Sequence, residues 1–267
     1  MSVFEGQTVV VTGASSGIGE ALCLNLARQR PNLVLAARDE AALNAVAESC
    51  RQAGARALVV PTDVAVEADC RRLVERSVAA FGALHALVNN AGIGMIACFE
   101  DVADLSGYER LMRVNYLGCV FTTYHALGEL RKSRGRIGVV SSLTGLTGVP
   151  TRTAYAASKH ALFGFYDSLR IELLGSGVSV TLVAPDFVVS QIQRRALGPD
   201  GEPLGRTPLV ESKIMSAERC AAIIVRALER RQRLAFTSVR GRFGRLLRVF
   251  APGVIDRLTL RAIARGH

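Results

Sequence analysis

The stretch from Thr8 to Gly19 limits the possible folds of this chain more than any other. Thr8 to Thr12 reads Thr-Val-Val-Val-Thr, a short β-branched run of the kind buried on both faces of a parallel sheet. It passes directly into Gly13-Ala-Ser-Ser-Gly-Ile-Gly19, then into a helical pattern through Leu22, Leu26 and Ala27. Strand, glycine turn and helix in immediate succession aim backbone N–H groups and a helix N-terminus at a diphosphate. A glycine-rich turn alone is often only a turn, but its place after the first strand favours phosphate binding. The spacing is Gly-x-x-x-Gly-x-Gly, and Gly13, Ser15, Ser16, Gly17, Ile18 and Gly19 are the expected contacts.

The following segments alternate strand and helix, which predicts a doubly wound α/β fold of Rossmann type: a seven-stranded parallel sheet with helices on both faces. Asn32 to Ala37 forms the second strand after Pro31. An acid at its end would hold ribose hydroxyls and favour NAD(H). Ala37 and Arg38 stand there instead, which suits the extra phosphate of NADP(H), while Asp39 is placed to cap the helix running through Ala53. A third strand, Ala57 to Val60, leads to Asp63 and Val64, where the carboxylate either meets adenine or caps the next helix. Strand four, Ala86 to Asn89, runs into Asn90-Ala91-Gly92, read as backbone close to a ligand with amides bracing neighbouring strands.

Leu105 to about Lys132 reads as one long helix carrying Asn115 in an apolar context. A buried Asn needs partners, so bracing and a water site both stand. Strand five, Arg136 to Ser141, delivers Ser142 to the crevice at the carboxyl ends of the strands. Tyr155 and Lys159 follow at i, i+4 on a helix running to about Leu174, and so share one face. The ammonium there favours the phenolate and draws the phenol down from about 10, making it a proton donor or acceptor for a carbonyl that takes up hydride. Alone, such a pair is ordinary helix surface. Strand six, Val178 to Ala184, leads to Pro185.

At this point the motifs resemble the short-chain dehydrogenase/reductase family over roughly residues 5 to 235. Thr12-Gly13-x-x-x-Gly17-x-Gly19 is similar to its cofactor turn, Asn89-Asn90-Ala91-Gly92 to its bracing motif and Tyr155-x-x-x-Lys159 to its active-site motif, with Asn115 and Ser142 at matching intervals. The resemblance implies that Tyr155 is the general acid or base and that Ser142 binds the substrate oxygen. It also implies that Lys159 tunes Tyr155 and holds the nicotinamide ribose, and that Asn115 anchors a proton-relaying water. A homodimer or homotetramer is expected by the same analogy. One departure stands out: Pro185 is followed by Asp186 where the family usually has Gly, with Val188 and then Ser190 as the hydroxyl near the cofactor. Asp186 either stabilises the oxidised ring or is a tolerated turn residue, and the second is favoured.

Composition fixes the remaining bounds. The chain of 267 residues, 49% apolar, suits one domain over residues 1–240 with an extension at 241–267. The start of the chain lacks the basic and apolar regions of a signal peptide, and no run approaches the ~18 apolar residues of a membrane span. The six scattered cysteines read as reduced thiols in a cytoplasmic protein, with no metal site expected. Of the net charge of +10, +9 lies between Arg226 and the C-terminus, where eleven arginines face two acids. Phe187 to Met215 is Gly/Pro-rich and irregular, as expected of a substrate lid over about 187–216, and its Phe187, Ile192, Leu197, Leu204 and Ile214 hint at an apolar substrate. Beyond it, Phe243, Leu246, Leu247 and Phe250 form a helical stripe flanked by Arg242, Arg245 and Arg248, broken at Pro252-Gly253 and echoed by Arg257, Arg261 and Arg265. Packing of the stripe on its own subunit or a partner is favoured over peripheral membrane contact, and nucleic-acid binding is not expected. The leading expectation is an NADP(H)-dependent oxidoreductase acting on a carbonyl or alcohol. The alternative is a cofactor-binding scaffold or membrane-surface protein with little turnover.

Overall fold

The computed structural model describes residues 2–206 and 214–264. Its strands are β1 (Thr8–Thr12), β2 (Asn32–Ala37), β3 (Arg56–Pro61), β4 (Ala86–Asn89), β5 (Arg136–Val140), β6 (Ser179–Ala184) and β7 (Leu234–Phe236). They form one parallel sheet in the order β3-β2-β1-β4-β5-β6-β7. The helices are α1 (Gly17–Ala27), α2 (Glu40–Gln52), α3 (Glu67–Phe81), α4 (Ser106–Met112), α5 (Gly118–Lys132), α6 (Thr153–Glu172), α7 (Ala217–Glu229), α8 (Val239–Phe250) and α9 (Pro252–Ala264). This is the expected Rossmann architecture, with ends shifted by a residue or two.

Each face of the sheet has its own core, and the strands supply both by alternation. Val9 and Val11 pack with Leu22 and Leu26 of α1, Leu43 of α2 and Ile224 of α7. Val10 points the other way, into a cluster with Leu73 of α3, Leu130 of α5 and Leu162 of α6. All five residues of β1 are buried, which is why that strand reads as an unbroken apolar and β-branched run. Chain order reverses between β1 and β4, so a crevice opens beyond their carboxyl ends.

The sequence reading of one long helix from Leu105 to Lys132 needs correction. Between α4 and α5 the chain makes a π-helical turn over Arg113–Leu117. Such a turn inserts a residue into the helical ladder, and Asn115 lies inside it, fully buried. At the other end of the chain, Pro252 opens α9 after α8 ends at Phe250, a first-turn position where the missing proline N–H costs nothing. The six thiols are free and five are buried, and burial pushes those of Cys70 and Cys220 up to about 12. The five buried thiols are packing groups, and Cys98 is exposed. Among the described residues no helix is long and apolar enough to cross a membrane.

Candidate active site

A cleft of about 1610 Å³ lies over the carboxyl ends of the strands and is lined by the sequence-predicted residues except Gly19 and Asn115. Gly13, Ser15, Ser16, Gly17 and Ile18 line one end. Gly13 and Gly17 have φ of 66° and 57°, a region that favours glycine. Gly19 does not line the cleft but makes the turn possible: a Cβ there would fall 2.0 Å from the Gly13 carbonyl oxygen. Ser16 caps α1 with extended backbone and no side-chain hydrogen bond. The first N–H groups of α1 therefore keep no side-chain acceptor at the N-cap, as an anion-binding turn requires.

Asn90 locks this turn to β4. Its Nδ2 donates to the carbonyls of Thr12 (3.0 Å) and Gly13 (3.2 Å), while its N–H and that of Ala91 donate to Thr12 Oγ1. Asn89 reaches the opposite face: its Nδ2 donates to Thr123 Oγ1 and Tyr166 Oη, and its Oδ1 accepts from Thr122. Asn90 thus braces the neighbouring strand β1 as expected, whereas Asn89 ties β4 to α5 and α6 instead. At the far end stand Arg38, Asp39, Asp63 and Val64. Asp39 caps α2 by accepting from Ala42 N–H at 3.0 Å. Asp63 does not cap α3, whose N-cap is Val66; its carboxylate accepts from Ala65 N–H in the preceding turn. Arg38 is exposed beside the cleft and makes no hydrogen bond or ion pair among the described residues.

The other end holds Ser142, Tyr155 and Lys159. Lys159 is 3% exposed, its Nζ donates to the Val140 carbonyl at 3.0 Å, and it sits 5.7 Å from the centre of the Tyr155 ring. Both share one face of α6, as the i, i+4 spacing requires. Asn115 braces: its Oδ1 accepts from Ile93 N–H (2.8 Å), and its Nδ2 donates to Ile93 O and Ser158 Oγ, both at 2.9 Å. Ser158 in turn donates to the Tyr155 carbonyl at 2.8 Å. Gly92 leaves room for this cluster, since a Cβ there would stand 3.2 Å from Asn115 Oδ1 and 3.5 Å from Lys159 Nζ. Ser142 caps the short turn Leu143–Gly145 by accepting from Thr144 N–H, and Ser141 donates to the Lys159 carbonyl. Sequence reasoning missed Ser158, Ser141 and the buried Arg152; a polar residue inside an apolar helix was the available signal for Ser158.

Beyond β6, Pro185 accepts from Leu143 N–H and Ser190 packs behind Gly17. Asp186 corrects the sequence reading. Its carboxylate, 12% exposed, accepts from Ser238 Oγ (2.7 Å), Arg240 Nη2 (2.8 Å) and Nε (3.2 Å) and Phe187 N–H, while its own N–H donates to Thr237 Oγ1. It is a tether for α8. Farther along that helix, Gly241 lies against Leu143, and Arg248 donates to the Leu146 carbonyl and approaches His160. The C-terminal helices thereby become a wall of the cleft, which Phe243, Leu246, Leu247, Phe250, Ile255 and Leu258 line. The segment after β6, expected to be a lid, is pinned where Leu197 exchanges hydrogen bonds with Gly94 and Ile96. Its residues 207–213, like Arg265 of the tail pattern, lie outside the described residues.

The short chain dehydrogenase family profile matches residues 7–198. The chain belongs to the short-chain dehydrogenase family. As a short-chain dehydrogenase it is an oxidoreductase acting on CH–OH groups with NAD(P). It is 38% identical over 270 residues to a protein of Pinus massoniana named 11-beta-hydroxysteroid dehydrogenase, covering 98% of this chain and 75% of that protein. It is also 38% identical over 257 residues to the 11-beta-hydroxysteroid dehydrogenase A of Sesamum indicum, covering 94% and 74%. Among solved structures, a short-chain dehydrogenase/reductase of Burkholderia phymatum in complex with NAD superposes with a TM-score of 0.85 at 28% identity, over 95% of this chain and 96% of that one.

Proposed function

We propose that this short-chain dehydrogenase interconverts a ketone or aldehyde with its alcohol, uses NADP(H), and takes an apolar substrate. The observation that carries the reading is the opening of Ser142, Tyr155 and Lys159 onto the same cleft as the Gly13–Gly19 turn. The open N-terminus of α1 and the glycine cradle fit a dinucleotide diphosphate, and Pro185, Val188 and Ser190 fit its nicotinamide half. When bound, the nicotinamide supplies or accepts the hydride. Tyr155 gives the proton to the carbonyl oxygen in reduction and removes it from the alcohol in oxidation. Ser142 Oγ donates to that oxygen as negative charge gathers on it. Lys159, buried behind the Tyr155 ring, compensates the charge left on the phenol and holds ribose hydroxyls. Asn115 fixes the wall that faces Lys159.

Arg38 supports the preference for NADP(H), since a free guanidinium at the end of β2 suits a ribose phosphate. The apolar lining from α8, α9 and the lid supports an apolar substrate, and the steroid dehydrogenase names of the relatives agree with it. Phe243, Leu246 and Phe250 are 65%, 56% and 82% exposed at the mouth of the cleft. With Arg242, Arg245 and Arg248 beside them, they support contact with an anionic membrane surface from which such a substrate would enter. Liposome flotation of the full chain against one ending at residue 240 tests that contact, and equal behaviour would refute it.

Turnover tests the chemistry. With a panel of apolar ketones, the wild type should oxidise NADPH faster than NADH. Tyr155→Phe should lower kcat by roughly 10²- to 10⁴-fold while coenzyme titration stays unchanged. A Phe variant that keeps the parental rate would remove the proposed acid from the reaction.

A further inference from the structure

The substrate half of the cleft is cationic as well as apolar. Arg110, Arg152, Arg195, Arg240, Arg245 and Arg261 all line the cleft. Its lining acids are Asp39 and Asp63 near the second and third strands and Asp186, which is engaged by Arg240 and Ser238. Most of these arginines are exposed. Arg152 is different.

Arg152 is 7% exposed and stands at the N-cap of α6, three residues before Tyr155. Among the described residues its one side-chain hydrogen bond runs from Nη2 to Gln193 Oε1 of the lid at 3.0 Å, and no carboxylate pairs with it. A guanidinium carries five N–H donors in a fork matched to a carboxylate. Burying that charge beside a single neutral amide is costly, and the cost falls when an anion arrives. Burial holds the guanidinium below its ordinary value, and the Tyr155 phenol opposes that shift.

We propose that Arg152 reads a carboxylate on the substrate, so that the preferred substrate is an oxo or hydroxy acid with an apolar body. The inference rests on the carbonyl–alcohol reading above and narrows its substrate class. The carboxylate changes no bond in the reaction. It accepts from the free donors of Arg152 and fixes the distance between the acid group and the carbonyl that faces Tyr155. The apolar lining from α8 and the lid takes the rest of the molecule. Gln193 holds the guanidinium in place and carries an amide N–H₂ that is a second donor to the same oxygens.

The test compares straight-chain twelve-carbon oxo acids, with the carbonyl at successive positions, against their methyl esters. In the wild type at least one acid should exceed its ester in kcat/KM. Arg152→Gln should lower that acid-to-ester ratio by about 10- to 100-fold, and Arg152→Lys should restore part of it. The ratio cancels any general effect on Tyr155, because the same phenol serves both substrates. Gln193→Ala, which removes one neutral donor and spares the charge, should lower the ratio less than Arg152→Gln does. If Arg152 only latches the lid, acid and ester will fall together in Arg152→Gln, the ratio will stand, and the proposal is overturned. Equal use of acids and esters by the wild type also overturns it, while leaving the carbonyl reading intact. Absence of turnover on every compound would instead count against the carbonyl reading. Calorimetric titration with dodecanoate then decides the subsite: weaker binding to Arg152→Gln supports it, and equal binding refutes it.

Discussion

Replacing Asp186 with Ala should loosen the C-terminal helices without unfolding the sheet. The carboxylate holds Ser238 Oγ at 2.7 Å and the fork of Arg240 at 2.8 and 3.2 Å, and its side chain is 12% exposed. A hydroxyl donating to a largely buried carboxylate contributes about 1.5 kcal/mol net. The Arg240 fork is discounted because its side chain is 61% exposed, and about 0.5 kcal/mol is fitting for it. Together they give about 2 kcal/mol, or about a 30-fold shift towards undocked α8. Gly241 against Leu143 and the Arg248 contacts remain, so most molecules stay closed. Hydrogen exchange followed by mass spectrometry reads this directly: amides of α8 should exchange about 30-fold faster in Asp186→Ala, while those of α6 hold the parental rate. KM for an apolar ketone should change little, because the docked fraction stays near one. Unchanged exchange across residues 239–250 would show that the tether adds nothing to docking, and the wall assigned to α8 would rest on apolar contacts alone.

Gly19→Ala should abolish useful coenzyme binding, by about 100-fold or more in Kd, because its Cβ would lie 2.0 Å from the Gly13 carbonyl; calorimetry checks the affinity and circular dichroism the fold. Arg38→Ser should shift the ratio of kcat/KM for NADPH over NADH by about 10- to 100-fold towards NADH, measured on one ketone. His85 accepts from Thr8 N–H at Nδ1, and burial, with Arg136 nearby, holds it below its ordinary value of 6.5. A depressed folded pKa means that the unfolded chain binds the proton first. Its contribution is therefore complete above pH 6.5 and is lost as pH falls from there through the folded value. Urea midpoints of the wild type should fall between pH 7 and 5 more steeply than those of His85→Asn.

The parts of this molecule that were legible in its sequence are those set by near neighbours. Thr8 to Gly19 spelled out strand, turn and helix because a strand buried on both faces favours an unbroken β-branched run and the turn admits only glycine where a Cβ would strike a carbonyl. Tyr155 and Lys159 could be placed together because four residues make one helical turn. Asp186 was misread because its partners, Ser238 and Arg240, lie 52 and 54 residues farther on, beyond the reach of any local pattern. Arg152 was passed over for a related reason: a surface arginine and a buried one look alike in sequence, and its partner Gln193 lies 41 residues farther on. The interruption between α4 and α5 carries no proline, and Gly118 at its end sits in an otherwise helical pattern; within it Asn115 pairs with the backbone of Ile93, 22 residues away.

That interruption also sets the phase between two halves of what would otherwise be a single rod. Deleting one residue within Arg113–Leu117 would let regular winding resume. Everything downstream would then be turned by about 100° relative to α4. Thr122 and Thr123, which clasp Asn89 beneath β4, would swing away from it. The surplus residue acts as an indexing notch, and losing it would scramble the alignment of a distant strand end while every helical hydrogen bond stayed whole.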